Sequence, residues 1–125
     1  MQRVLLIAHI EHSLSEQISG LGYGVAIAAD FDTARELMHP LPDAILVHPA
    51  NHGMADRFAL CVKLRGQAAL AAVPIMLLAE GRIDQWQHAQ ANDVGVNLLV
   101  GFPLASEVLA SLLHGLMALR PETAQ

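Results

Sequence analysis

Pro42-Asp43-Ala44-Ile45-Leu46-Val47-His48-Pro49-Ala50-Asn51-His52-Gly53-Met54 decides how the rest of the chain is read. Ala44 to Val47 is a short apolar run, introduced by a proline and ended by a polar loop punctuated by Pro49 and Gly53. A run without alternation suits a central strand of a parallel sheet, which is covered on both faces. In an open α/β sheet the loop after such a strand is where ligands bind. His48 therefore stands at the functional edge, and what an imidazole does there is the central question.

Outward from this strand, the same two patterns repeat. Val4–Ala8 is a first buried-strand run, and His12 or Ser13 opens a helix through Leu21, with Leu14, Ile18 and Leu21 at helical spacing. Gly20 and Gly22 end it. Tyr23–Ala28 reads as the second strand, and Asp30 or Asp32 caps a short helix, Thr33 to Met38, closed by His39-Pro40. Ala55 to Leu64 is a helix with Phe58, Cys61, Val62 and Leu64 inward, stopped near Gly66. Pro74 opens a fourth strand, Ile75–Leu78; Asp84 to Ala91 is a polar helix carrying the only tryptophan, Trp86. Asn97–Gly101 is a fifth strand and Ala105 to Leu119 the last and most apolar helix.

Composition sets the outer bounds. The 125 residues suffice for one domain, residues 1–120, followed by a polar tail at 121–125 that also reads as the start of a linker. At 54% hydrophobic residues there is ample material to cover a sheet on both faces. A net charge of −5 without a basic cluster argues against nucleic acid or an anionic membrane as a direct partner. No apolar run is long enough to span a bilayer. Met1-Gln2-Arg3 followed by Val4–Ala8 lacks the length and cleavage site of a signal peptide and reads as a strand. The single cysteine, Cys61, excludes an internal disulfide and fits a reducing cytosol, and its apolar helical setting suggests a core residue. The expected location is cytoplasmic.

The element order βαβαβαβαβα, with right-handed crossovers, predicts a doubly wound parallel sheet with helices on both faces. Five strands in this length point to the flavodoxin-like order 2-1-3-4-5, with the functional edge where strands 1 and 3 end. The phosphate-cradling glycines of a dinucleotide fold are absent, since His9–Ser15 contains none. Nothing pairs a nucleophile with a base, so no enzyme is expected.

Several stretches, taken in order, carry a likeness: Arg3–Ile7, Leu21–Val25, Ala28–Asp30, Pro42–Val47 with Gly53-Met54, Leu60–Arg65, Val73–Leu78, and Gly95 to Pro103. Together they resemble the receiver domains of bacterial response regulators, the CheY-like family, from Arg3 to Leu119. The resemblance implies aspartyl phosphorylation. A carboxylate after strand 3 accepts the phosphoryl group, acidic residues after strand 1 hold Mg²⁺, and a hydroxyl and a lysine after strands 4 and 5 bind the product. Position by position, the acidic pair falls on Ala8 and His9, the phosphoacceptor on His48, the hydroxyl on Ala79 and the lysine on Phe102. The resemblance also implies a cis bond before the retained Pro103. Imidazoles suit borderline metals whereas Mg²⁺ wants oxygen ligands, so Mg²⁺ binding is expected to be lost and no cofactor is expected. Glu11 is a nearby carboxylate, but a single acid makes a poor Mg²⁺ site. The expected class is a degenerate receiver, a phosphorylation-independent module of two-component-type signal transduction that acts through protein interaction or dimerisation, either as the N-terminal part of a larger regulator or as a stand-alone adaptor.

Two further readings stay open at this level. His9, His12, His48 and His52 lie on loops that converge at the strand ends, and could bind Zn²⁺, Ni²⁺ or Cu²⁺ or respond to pH. Equally, polar residues collect in loops, and His39, His88 and His114 read as surface residues. On the last helix, Leu104, Val108, Leu109, Leu112 and Leu116 form an inward stripe, and Leu113, Met117 and Leu119 widen it. The extra width is either a broad core contact or an interface. Receivers commonly pair through helix 4, strand 5 and helix 5, and Trp86 would be an anchor on that face. The first helix, with Leu14, Ile18 and Leu21, is the competing surface.

Overall fold

The computed structural model describes residues 2–8, 13–48 and 54–119. Its strands are β1 (Arg3–Ile7), β2 (Gly24–Ala28), β3 (Ala44–Val47), β4 (Ile75–Glu80) and β5 (Leu98–Phe102). They form one parallel sheet in the order β2-β1-β3-β4-β5, as the crossover argument requires. Between and after them run α1 (Ser13–Gly20), α2 (Phe31–Glu36), α3 (Met54–Arg65), α4 (Gln85–Asp93) and α5 (Ser106–Ala118), with a short 3₁₀ turn at Ala68–Leu70. The central strands β1, β3 and β4 are apolar on both faces because both faces are covered. Alternate residues go to alternate layers. Leu5, Ile7, Ile45, Val47, Ile75 and Leu77 face the α2–α3–α4 side, and Val4, Leu6, Ala44, Leu46, Met76 and Leu78 face α1 and α5.

Local chemistry sets the helix starts. Asp30 caps α2, its Oδ1 accepting from Thr33 N at 2.8 Å. Asp84 and Gln87 close a reciprocal capping box on α4, with bonds of 2.8 and 3.1 Å. Gln17 Nε2 donates to Leu104 O at 2.9 Å, tying α1 to the turn before α5. The Phe102–Pro103 bond is cis, as is His39–Pro40.

Two helix phases differ from the sequence reading. On α3, Phe58, Cys61 and Leu64 are buried, but Val62 is exposed because it lies about 100° around the helix from Cys61. On α5 the buried face is Leu109, Leu113, Leu116 and Met117, while Val108 is 47% exposed. Leu113 and Met117, expected as candidates for an interface, belong to the core under the sheet. The stripe Leu109-Leu113-Leu116 has helical spacing and takes the inward position, which turns Val108 outward. Leu14 and Ile18 of α1 are fully buried and Leu21 is half-buried against the same core, so the apolar residues read as a competing surface point inward. Among the described residues no helix is long and apolar enough to cross a membrane.

Candidate functional site

The carboxyl ends of the central strands bring together the residues marked in the sequence. Ile7 stands beside Val47 in the β1–β3 register, and His48 N donates to Ile7 O at 2.9 Å. Ala8 and His48 are therefore neighbours just beyond the paired strands. On the other side of β3, Ala79 of β4 is fully buried and sits opposite Gly101 of β5, and Glu80 sits opposite Phe102. Ala8, His48, Ala79 and Phe102 thus stand at the ends of four adjacent strands.

Period-two alternation turns His48 to the same face as Ala44 and Leu46, toward α1 and α5. There its ring meets the Phe102 ring edge to face, with centroids 4.7 Å apart and planes at 68°. His48 is 7% exposed and Ala8 4%. The cluster is two methyl groups, an aromatic ring and one imidazole turned against that ring. It offers no carboxylate, hydroxyl or ammonium group. His9, His12 and His52, and with them the wider histidine cluster and Glu11, lie outside the described residues. Among the described residues no three His, Cys, Asp or Glu side chains come together as a metal site.

Cys61 is not a hidden nucleophile. It is fully buried on α3, and burial pushes its thiol up to about 11, so the thiolate is not formed near neutral pH.

One feature escaped the sequence reading. A cleft of about 410 Å³ opens between α2 and α3, above the ends of β1 and β3, with Phe31, Val47, Asp56, Leu60 and Lys63 in its walls. The Asp56, Leu60, Lys63 spacing of i, i+4, i+7 was visible on α3, but nothing in it told that α2 would leave this face uncovered.

Comparison of the whole fold with solved structures gives a consistent answer. The chemotaxis protein CheY4 of Vibrio cholerae superposes with a TM-score of 0.80 at 22% identity, covering 93% of this chain and 98% of that one. The chain has the receiver-domain fold. The receiver domain of a signal transduction histidine kinase from Syntrophus aciditrophicus matches with a TM-score of 0.74 at 22% identity, over 100% of this chain and 98% of that one. The receiver domain of a sensor histidine kinase from Pseudomonas aeruginosa, solved with a magnesium ion coordinated in its active-site cleft, gives 0.72 at 22% identity, with 94% and 98% covered. No family model matches the sequence, and no curated protein matches it.

On the receiver fold, the face formed by α4, β5 and α5 divides differently from the sequence expectation. Trp86 is 63% exposed, but its ring leans edge-on against Phe58 of α3, with centroids 6.2 Å apart. It therefore belongs to the α3–α4 side. Leu119 is 55% exposed, as expected of an outward residue. Val108, Leu112, Gly115 and Leu119 fall at i, i+4, i+7 and i+11 along α5; Val108, Gly115 and Leu119 are exposed, and Leu112 is half-buried at the margin of the core.

Proposed function

We propose that this chain is a receiver-type module of two-component signalling that works without phosphorylation, by binding a protein partner or a second copy of itself. The observation that carries the reading is the His48–Phe102 ring contact, flanked by Ala8 and the buried Ala79. At the positions where the family resemblance puts a phosphoacceptor, a metal-binding carboxylate, a hydroxyl and a lysine, this chain has an imidazole, two methyl groups and a ring. Mg²⁺ prefers hard oxygen ligands, and these side chains supply none. At the lysine position a phosphoryl group would meet the Phe102 ring in place of a cation.

The chemical test is direct. Incubated with acetyl phosphate and Mg²⁺, the full chain is expected to gain no phosphoryl mass by intact-mass spectrometry. The His48→Asp variant is expected to behave alike, because one carboxylate placed against Phe102 restores neither metal ligands nor lysine. A phosphoryl adduct on the wild-type chain would sink the proposal.

For the partner surface, the outer line of α5 and the edge of β5 support a self-interface better than the core residues Leu113 and Met117 do. In sedimentation velocity, the wild-type chain is expected to dimerise with rising concentration, and a Val108→Glu/Leu119→Glu variant to remain monomeric with an unchanged far-UV spectrum. A wild-type chain that stays monomeric at hundreds of micromolar would leave this face without its assigned role.

A further inference from the structure

The α2–α3 cleft opens at the ends of β1 and β3, where Ala8 and His48 border it as well, and its further walls come from α2 and α3. Its floor and walls are apolar, from Ile7, Val47, Phe31 and Leu60. Its size falls within the range of small-molecule sites, which combine apolar walls with a few placed polar groups.

The polar groups here have a pattern. Asp56 and Lys63 both face the cleft from α3, seven residues apart with Leu60 between them. Two helical turns separate their backbones by about 10 Å. Lys63 Nζ stands 5.9 Å from the centre of the Phe31 ring, which anchors its stem along the apolar wall and keeps the ammonium at the cleft. Two other charges line the cleft, and the protein itself already engages both. Asp30 accepts a hydrogen bond from Thr33 N as the α2 cap, and buried Arg57 is attracted by Glu80 at the end of β4.

An anion would find Lys63 but also Asp56; a cation would find the reverse. A molecule with an ammonium at one end, a carboxylate at the other and an apolar body between them satisfies both charges and the wall. We propose that the α2–α3 cleft binds a short apolar peptide in this way, its amino terminus at Asp56, its carboxyl terminus at Lys63 and its side chains against Leu60 and Val47. Charge-assisted bonds at both ends fix its direction.

The dipeptide Leu-Leu is the probe, titrated into the full chain and followed through the methyl resonances of Ile7, Val47 and Leu60. Binding is expected to weaken about tenfold when either terminus is capped, as N-acetyl-Leu-Leu or as Leu-Leu-amide, the size of one lost charge-assisted contact. Asp56→Asn should weaken Leu-Leu by about the same factor while leaving the N-acetyl form unaffected. Lys63→Gln should do the same with respect to the amide. Both substitutions are on exposed residues, and unchanged thermal midpoints show that the fold is kept. No methyl shift at millimolar Leu-Leu overturns the proposal. Equal binding of the free and N-acetyl forms would make this an anion site and overturn it as well, as would equal binding of the free and amide forms.

Discussion

Arg65→Ala is expected to lower the thermal midpoint by about 10 °C, corresponding to a loss of about 3 kcal/mol in a domain of this size. Arg65 ends α3 and reaches three separate segments. Its Nε donates to Gly95 O at 2.9 Å, its Nη1 to Leu70 O and Val73 O at 2.8 Å each, and its Nη2 to Asn97 Oδ1 at 2.8 Å. Asn97 Oδ1 also accepts from Ile75 N at 2.8 Å, so the guanidinium is linked to the first residue of β4. One cation thereby holds the end of α3, the turn before β4 and the lead into β5. Alanine would take the charged donor from Gly95 O and Val73 O, while Leu70 O keeps its bond from Val73 N at 3.1 Å, and the cost of leaving part-buried acceptors unpaired exceeds the net value of the bonds themselves. Lysine cannot replace the planar fork with its divergent donors, so Arg65→Lys should recover less than half of the loss.

Gly95 makes the same point from the backbone. Its φ is +85°, a region that costs any other residue, and a Cβ there would come within 3.0 Å of the Arg65 side chain. Gly95→Ala should therefore destabilise by both routes, and its midpoint should fall in the same direction as that of Arg65→Ala. Thermal unfolding of the two single variants and the double variant, followed by circular dichroism, checks this. If the clamp is one unit, the double variant loses less than the sum of the singles.

These features show which parts of the fold were legible in the sequence and which were not. The buried strands announce themselves through continuous apolar runs, because Ala44–Val47 and Ile75–Leu78 must satisfy two covered faces at once. Order and handedness follow from chain connection rules. The Ala8, His48, Ala79 and Phe102 cluster was also legible, since it follows from where strands end in a known order. The Arg65 clamp was not, because its partners lie 5 to 32 residues away and are mostly backbone carbonyls, which carry no residue-type signal. The α2–α3 cleft was hidden for a related reason: α2 is only 6 residues long, and how much of α3 it covers is decided by tertiary packing.

Leu113→Ala is the substitution that separates core from surface on α5. It is expected to cost about 3 kcal/mol and about 10 °C in midpoint, because Leu113 is fully buried among Leu109, Leu116 and the sheet. Leu113→Glu should go further and abolish cooperative unfolding, since a carboxylate there has neither water nor a partner. Val108→Ala, one side of the helix away and 47% exposed, should change stability by no more than about 0.5 kcal/mol. The contrast decides how any loss of self-association is to be interpreted. A charge at Leu113 or Met117 would abolish a dimer by unfolding the protomer, whereas a charge at Val108 or Leu119 acts on the outer face alone. Should Leu113→Ala prove as mild as Val108→Ala, the packing of α5 beneath the sheet would be wrong. The assignment of its outer line as an interface would then fall with it.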